Sequence, residues 1–378
     1  MVKHCRPLIE VLAEIPDVRH ARGKRHRLSA VLALVSVAVL CGFRSYSAIA
    51  QWARIYPRDL VVALGLTHPT PPCAATLWTV LGQLDQDDLE TKLGAWAESV
   101  LAAMPRSPSD DEAVALDGKT LRGSQHQGAL NVHLLSALSH RLGLTLGQQA
   151  VGDKTNEISH VVPLLHGLVL EGRIFTMDAL LTQRAVAETI VAGGGDYLMV
   201  VKGNQPRLEA DIALVFREPP EDDRQASAQT VDRAHGRIER RRLTVSEALV
   251  GYSTWPHVQQ VFRLERETIL RRTGEIRAET VYGVTSLDAP RADPSRLLRL
   301  ARQHWRIENR SHWVRDVTFD EDRSQVRCTP IPQVMAAFRN TAIGLLRASG
   351  ETNIAAACRR LAACPRSALA LVGLIPDN

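Results

Sequence analysis

The chain has 378 residues, enough for two or three domains and a sizeable core, with 45% hydrophobic and 23% charged residues. Those proportions exclude a disordered, collagen-like or heavily membrane-embedded protein. Lysine and arginine total 46 against 41 acids, a net charge of +5 that permits a polyanionic partner without requiring one.

Residues 1–60 hold ten Lys/Arg and four acids, a local excess of +6. Apolar spacings at Leu8, Val11 and Leu12, and again through 28–53, predict helices. The apolar stretch Leu28–Phe43 follows a basic run, Arg19–Arg27, and precedes Ala48-Ile49-Ala50, an order that mimics an export signal. It starts late, contains Ser29 and Ser36, and at 16 residues falls short of a membrane span. A buried helix behind a basic loop is the expectation. Another helical stretch runs from Thr76 to Leu101, and residues 61–110 are acidic, net −4. Pro105 to Glu112 reads as a linker. Residues 1–105 are therefore expected to form a small all-α domain with a basic leading face. The six cysteines (5, 41, 73, 328, 358 and 364) include no C-x-x-C pair, so reduced thiols in a cytoplasmic protein are expected.

After the linker the pattern changes. Ala113–Asp117 is a short apolar run ending in an acid, and His133–Ser139 and Leu142–Val151 read as two strands joined at Arg141. Glu157–Leu170 is an amphipathic helix, and Arg173–Asp178 is again a strand ending in an acid. Gln183–Ala192 reads as a helix closed by three glycines, and Tyr197–Val201 as a buried strand. The order β-β-β-α-β-α-β is not a doubly wound start, which alternates from the outset. It is the order of a ribonuclease-H-like mixed α/β sheet over 106–350. A β-strand insertion is expected at about 220–290, with Arg237, Arg240, Arg241 and Arg242 serving either to track a phosphate backbone or to guard an edge strand. Helical character returns from Pro294 to Arg347, and 351–378 forms a helical tail.

Asp117 and Asp178 each close a predicted strand. Were those strands neighbours, their ends would lie about 5 Å apart. Two ionised carboxylates that close repel unless a cation separates them, and oxygen-only ligands suit Mg²⁺ or Mn²⁺. Two such ions can clamp the attacking and leaving oxygens of a phosphodiester. The alternative use of each Asp is to cap the following turn. A third acid lies in His304-Trp-Arg-Ile-Glu308-Asn-Arg-Ser-His312-Trp-Val-Arg315-Asp316. Helical spacing puts His304, Glu308, His312 and Arg315 on one face, yet periodicity does not choose Glu308 over Asp316, Asp320 or Glu321. A zinc reading of the two histidines with Glu308 lacks an H-E-x-x-H. Gly118-Lys-Thr120 resembles a P-loop end, but Ala113 stands where its upstream glycine belongs. The glycine triplet at 193–195 follows no strand, and no G-x-S-x-G occurs.

Seven ordered motifs carry a resemblance. They are Leu116-Asp-Gly-Lys-Thr-Leu-Arg-Gly123, Lys154-Thr-Asn-Glu-Ile158, Met177-Asp-Ala-Leu-Leu-Thr-Gln183, Val201-Lys-Gly-Asn-Gln205, His235-Gly-Arg-Ile-Glu239, His304-Trp-Arg-Ile-Glu-Asn309 and Asp316-Val-Thr-Phe-Asp-Glu-Asp322. The chain resembles insertion-sequence DDE transposases of the ISAs family, relatives of the H-repeat-associated proteins. Leu12–Asp17 and Ala48–Ala53 resemble that family's associated N-terminal domain. The resemblance implies that Asp117, Asp178 and Glu308 are the catalytic, metal-binding carboxylates, holding two Mg²⁺ (or Mn²⁺) ions. It implies cleavage at the element's terminal inverted repeats and attack of the freed 3′-hydroxyl on target DNA. In the broader signature Tyr-x2-Arg-x3-Glu-x6-Lys, Ala301 and His304 replace the first two members and Arg315 the lysine, where it would hold a phosphate oxygen. Lys119, Lys202, Arg237 and His304 are further candidate DNA contacts, and Arg19, Arg22, Lys24, Arg25 and Arg27 are the candidates for reading the element ends. The implied partners are double-stranded DNA, as ends and target, and a second copy of the chain assembled on it, in the nucleoid-associated cytoplasm. Leu181 stands where the family commonly has His, Leu77-Trp78-Thr79 replaces a hydrophobic-Arg-Arg run, and Cys328–Ile331 replaces a Gly/Asn-rich turn. The alternatives are an inactive DNA-binding remnant and a nuclease without strand transfer. Residues 296–350, around Glu308, carry +5, so the basicity gathers on the expected DNA-reading and catalytic segments.

Overall fold

The computed structural model describes residues 6–56, 58–107, 111–124, 131–151, 157–234, 236–328 and 330–376. Lys154, Thr155, Asn156 and His235, parts of two motifs above, lie outside the described residues, as does the side chain of Arg22. Six helices come first: α1 (Leu8–Ala13), α2 (Leu28–Leu40), α3 (Tyr46–Ile55), α4 (Arg58–Ala63), α5 (Ala74–Gly82) and α6 (Gln86–Ala103). Then follow β1 (Ala113–Leu121), β2 (Val132–Ser139), β3 (Thr145–Val151), α7 (Glu157–His166), β4 (Ile174–Met177), α8 (Arg184–Ala192), β5 (Asp196–Val201) and α9 (Pro206–Arg217). This is the strand and helix order expected of a ribonuclease-H-like sheet. Four long strands come next, β6 (Ala226–Ala234), β7 (Arg237–Ser246), β8 (Gln260–Leu270) and β9 (Ile276–Thr285). The chain closes with α10 (Pro294–His304), α11 (Trp313–Val317), α12 (Ile331–Ala348), α13 (Ile354–Ala363) and α14 (Pro365–Val372).

Packing divides the chain into two compact units. One comprises 1–110, 118–157 and 307–378, the other 111–117 and 158–306. Strand β1 runs through both. The helices of 1–105 are not a free-standing body: they share their core with the last helices of the chain. The cause is α2, which is apolar around its circumference and buries 12 of its 13 residues. A helix without a polar face must be enclosed, and α1, α3, α12, α13 and α14 surround it. The apolar stretch that mimics an export signal is thus a core helix, and among the described residues no helix is long and apolar enough to cross a membrane. The five described cysteines are unpaired thiols.

In this first unit β2 pairs antiparallel with β3, from His133↔Val151 to Leu138↔Thr145, and β1 is the next strand on the far side of β2. In the second unit β1 and β4 are parallel, β4 and β5 parallel, and then β9, β8, β7 and β6 follow antiparallel in that order. The inserted strands therefore do not form a detached subdomain. Strand β9 pairs with β5 from Leu198↔Thr285 to Val201↔Tyr282, which extends the same sheet. Helix α10 lies on this sheet, where Leu297, Leu298, Leu300 and Ala301 join Ile174, Leu198, Leu243 and Phe262 in one apolar cluster.

Candidate active site

Strands β1 and β4 are in register with Leu116 opposite Met177, so Asp117 and Asp178 follow side by side where the pairing ends; Asp178 leaves β4, but β1 runs on to Leu121, so Asp117 does not close its strand as expected. Backbones of paired strands lie about 5 Å apart. The turn after Asp178 is held from within. Its Oδ1 accepts the backbone N–H of Leu181 at 3.3 Å, and the Thr182 hydroxyl lies 2.9 Å from the Asp178 carbonyl and 2.6 Å from that of Val200 on β5. Leu181 contributes a backbone N–H, which any residue type supplies, and a buried apolar side chain. Its departure from the family's histidine leaves that support of Asp178 intact. In the same unit His304 ends α10 with Nδ1 3.1 Å from the Thr176 hydroxyl, two residues before Asp178. It is 5% exposed, so the expectation of a DNA contact from His304 gives way to a buried hydrogen bond behind the strand end.

Glu308 lies in the first unit, on a helix that is not regular. A wider π turn spans Glu308–His312 before α11 resumes at Trp313, so the uniform helical face expected for His304 to Arg315 is interrupted. Such turns are frequent at functional sites. His312 Nδ1 lies 3.6 Å from Glu308 Oε2, and burial pushes the imidazole down in pKa against the pull of that carboxylate. The four acids that periodicity could not separate are separated by their partners. Asp316 receives Lys119 Nζ at 2.7 Å on both oxygens. Asp320 faces Arg44 at 3.3 Å. Glu321 is fully buried between Arg315 at 2.7 Å and Arg339 at 2.8 Å. Burial raises its pKa, but the two guanidiniums outweigh burial and hold the carboxyl below its ordinary range. Glu308 is the more exposed acid, 54% against 1% for Glu321.

The candidate DNA contacts divide in the same way. Arg315 is 0% exposed and turned to Glu321, which corrects the expectation that it holds a phosphate oxygen. Lys119, 7% exposed, is likewise committed to Asp316. Arg19 is buried, forked on Asp17 at 2.8 Å twice and donating to the His26 carbonyl at 2.7 Å, so it braces the basic loop from inside. Lys24, Arg25 and Arg27 are exposed. Lys202 is exposed beside Glu279, and Arg237 beside Glu239. Strand β7 lies between β6 and β8, so its arginines guard no edge. Arg240 faces Glu267 across the strand pair and Arg241 bonds Asp232 and Glu239, while Arg242 donates to the Ser227 hydroxyl at 3.4 Å. Beside the Glu308 turn, Arg141, Asn309, Arg310, Trp313 and Arg347 line an open cleft of about 600 Å³ that no sequence motif announces.

Asp117 and Asp178, side by side past one strand pairing, and Glu308, on an irregular helical turn of the other unit, each offer carboxylate oxygens. Oxygen donors fit hard divalent ions and not the thiolate or imidazole sets of a structural zinc site.

Residues 9–97 match the family model described as DDE_Tnp_1-associated, and residues 108–345 match that of the Transposase DDE domain. The putative protein YbfL of Escherichia coli is 30% identical over 353 residues, 90% of each chain, and the H repeat-associated putative transposase YhhI of the same organism is likewise 30% identical over 353 residues. An uncharacterised protein of Xanthobacter autotrophicus is 33% identical over 293 residues, covering 76% of this chain and 95% of its own. A solved piggyBac transposase synaptic complex with hairpin DNA aligns over 95% of this chain and 76% of its own at 10% identity, with a TM-score of 0.44.

Proposed function

The chain belongs to the family of DDE transposases, and from that premise we propose that it cuts DNA at the terminal inverted repeats of an insertion sequence and joins the freed 3′-hydroxyl to target DNA. Asp117, Asp178 and Glu308 are the catalytic carboxylates of this reading. The observation that carries it is the register of β1 and β4, which brings two aspartates side by side where their pairing ends. The commitment of Asp316, Asp320 and Glu321 to cations favours Glu308 as the third member.

These three side chains would hold two Mg²⁺ or Mn²⁺ ions. When bound, the ions supply an activated water and neutralise the charge that gathers on the scissile phosphate. The chain's own part is to fix the carboxylates: the Leu181 N–H and Thr182 hydroxyl set Asp178, and the π turn turns Glu308 toward His312. Lys24, Arg25 and Arg27 are the exposed basic residues for phosphates of the element end, with Lys202 and Arg237 as further contacts, and the cleft beside Trp313 offers Arg141, Arg310 and Arg347 to a phosphate backbone. Two ends meet on a dimer of the chain.

The test is cleavage and joining of end-containing DNA with Mg²⁺ or Mn²⁺, wild type beside Asp178→Ala. The expected outcome is loss of cleavage by at least about a hundredfold, the upper end of what losing a residue that merely orients a metal ligand costs, with DNA binding retained. Cleavage retained by Asp178→Ala removes it from the catalytic set. Cleavage without joining by the wild type identifies a nuclease, and binding without cleavage an inactive remnant.

A further inference from the structure

Strand β1 continues past its last pair with β4, Leu116↔Met177, through Gly118 to Leu121. Alternation along a strand puts Gly118 and Thr120 on one face and Asp117 and Lys119 on the other. On the odd face Lys119 is tied to Asp316. On the even face two buried side chains meet the strand. His133 of β2, 3% exposed, has Nδ1 2.9 Å from the Thr120 hydroxyl and Nε2 2.6 Å from Glu157 Oε1. Glu157, 4% exposed, opens α7. Gly118 lies against both. A Cβ on it would come within 2.5 Å of His133 Nε2 and 2.8 Å of Glu157 Oε2, so the residue after Asp117 must lack a side chain.

Burying a carboxylate and an imidazole costs desolvation unless each meets a partner. Here the partners form a chain. The Thr120 hydroxyl bonds His133 Nδ1, the other nitrogen of the same ring stands 2.6 Å from the Glu157 carboxylate, and the contacts end on the strand three residues from Asp117. We propose that Glu157 and His133 are positioning residues: together with Thr120 they lock the end of β1 and thereby fix the direction in which Asp117 presents its carboxylate to a divalent ion. The inference rests on the reading of Asp117 as a metal ligand. Glu157 itself touches neither metal nor DNA; it acts through the backbone at Gly118 and Thr120.

The test is Mn²⁺ binding by the full chain without DNA, read from the paramagnetic resonance signal of free Mn²⁺. Circular dichroism monitors the fold, and end cleavage is the second readout. Residues that orient metal ligands typically change metal affinity by about 10- to 100-fold. Glu157→Ala is expected at the lower end, about tenfold weaker. Glu157→Gln keeps the side chain's length and an oxygen beside Nε2 and rescues affinity to within about twofold of wild type, the pattern of an orienting contact in place of a ligand. Thr120→Val, which removes only the hydroxyl, falls between them. A folded Glu157→Ala that binds Mn²⁺ as wild type does overturns the inference; if that variant fails to fold, unchanged affinity in Thr120→Val overturns it equally. Asp178→Ala separates the two levels. Wild-type Mn²⁺ affinity in that variant overturns the metal reading beneath the inference, whereas weakened binding there with normal binding in Glu157→Ala overturns the positioning role alone.

Discussion

Replacing Glu321 by Gln tests where Arg315 belongs. Arg315, Glu321 and Arg339 have side chains 0%, 1% and 2% exposed, joined at 2.7 and 2.8 Å. Nη1 and Nη2 of Arg315 have no hydrogen-bond partner among the described residues, so the Glu321 interaction at Nε carries its compensation. Removing the charge from the middle of this trio leaves two guanidiniums in the core. Breaking a buried pair in this way typically costs about 3–5 kcal/mol, and in a chain of this size that lowers Tm by roughly 4–6 °C. Thermal melting followed by circular dichroism gives the shift. The same geometry makes a claim about DNA. Were Arg315 bound to a phosphate, Arg315→Ala would lower the slope of log affinity against log salt by about one unit at unchanged Tm. The buried trio demands the reverse: a lower Tm and an unchanged salt slope. A Glu321→Gln protein melting within about 1 °C of wild type, joined to a reduced slope in Arg315→Ala, would refute the reasoning and return Arg315 to the DNA surface.

Arg25→Ala with Arg27→Ala should weaken binding to any duplex, reducing the salt slope by about two units with Tm unchanged, by filter binding or anisotropy across salt. A double variant with an unaltered slope removes the basic loop from the interface. Glu90 on α6 accepts from the Gln148 amide at 2.7 Å, and burial pushes its carboxyl from 4.5 up to about 8. Between those values the folded chain holds a proton that the unfolded chain has released, so stability falls as pH rises, by at most about 1.4 kcal/mol per pH unit from this group. Urea midpoints should show a gentler fall in Glu90→Gln than in wild type over that window, and parallel curves would contradict it. Val35 on α2 is 0% exposed. Val35→Asp strands a charge there and should leave no cooperative melt, whereas Ile55→Asp, at an 82% exposed site one helix on, should melt as wild type does.

Local patterns carried the sequence reading as far as local physics reaches. Apolar runs ending in acids placed Asp117 and Asp178, because strand length and alternation are properties of neighbouring residues. The unbroken apolar surface of Leu28–Leu40 foretold a buried helix for the same reason. Partner choice lay elsewhere. Arg315 meets Arg339's carboxylate partner through a fold-back of the chain, Lys119 reaches Asp316 across 197 residues, and Arg19 turns inward to Asp17. A charge written in sequence looks the same whether it faces water, an acid or a phosphate. The His133–Glu157 pair was hidden for a related reason: neither residue has a recognisable spacing to the other, and only the steric demand at Gly118 betrays them. The insertion was visible as β-branched, Arg-rich segments, but the strand that receives it was not.

That junction bears on synthesis. Strand β5 is an interior strand whose second neighbour, β9, is encoded about 80 residues further along. At translation rates of roughly 5–20 residues per second, one side of β5 emerges from the ribosome and waits on the order of 4–16 s for the strand that will cover it. During that interval Tyr197–Val201, five consecutive apolar residues, presents an open row of backbone donors and acceptors to other nascent chains. The yield of folded protein should therefore depend on how quickly the ribosome moves through residues 202–285.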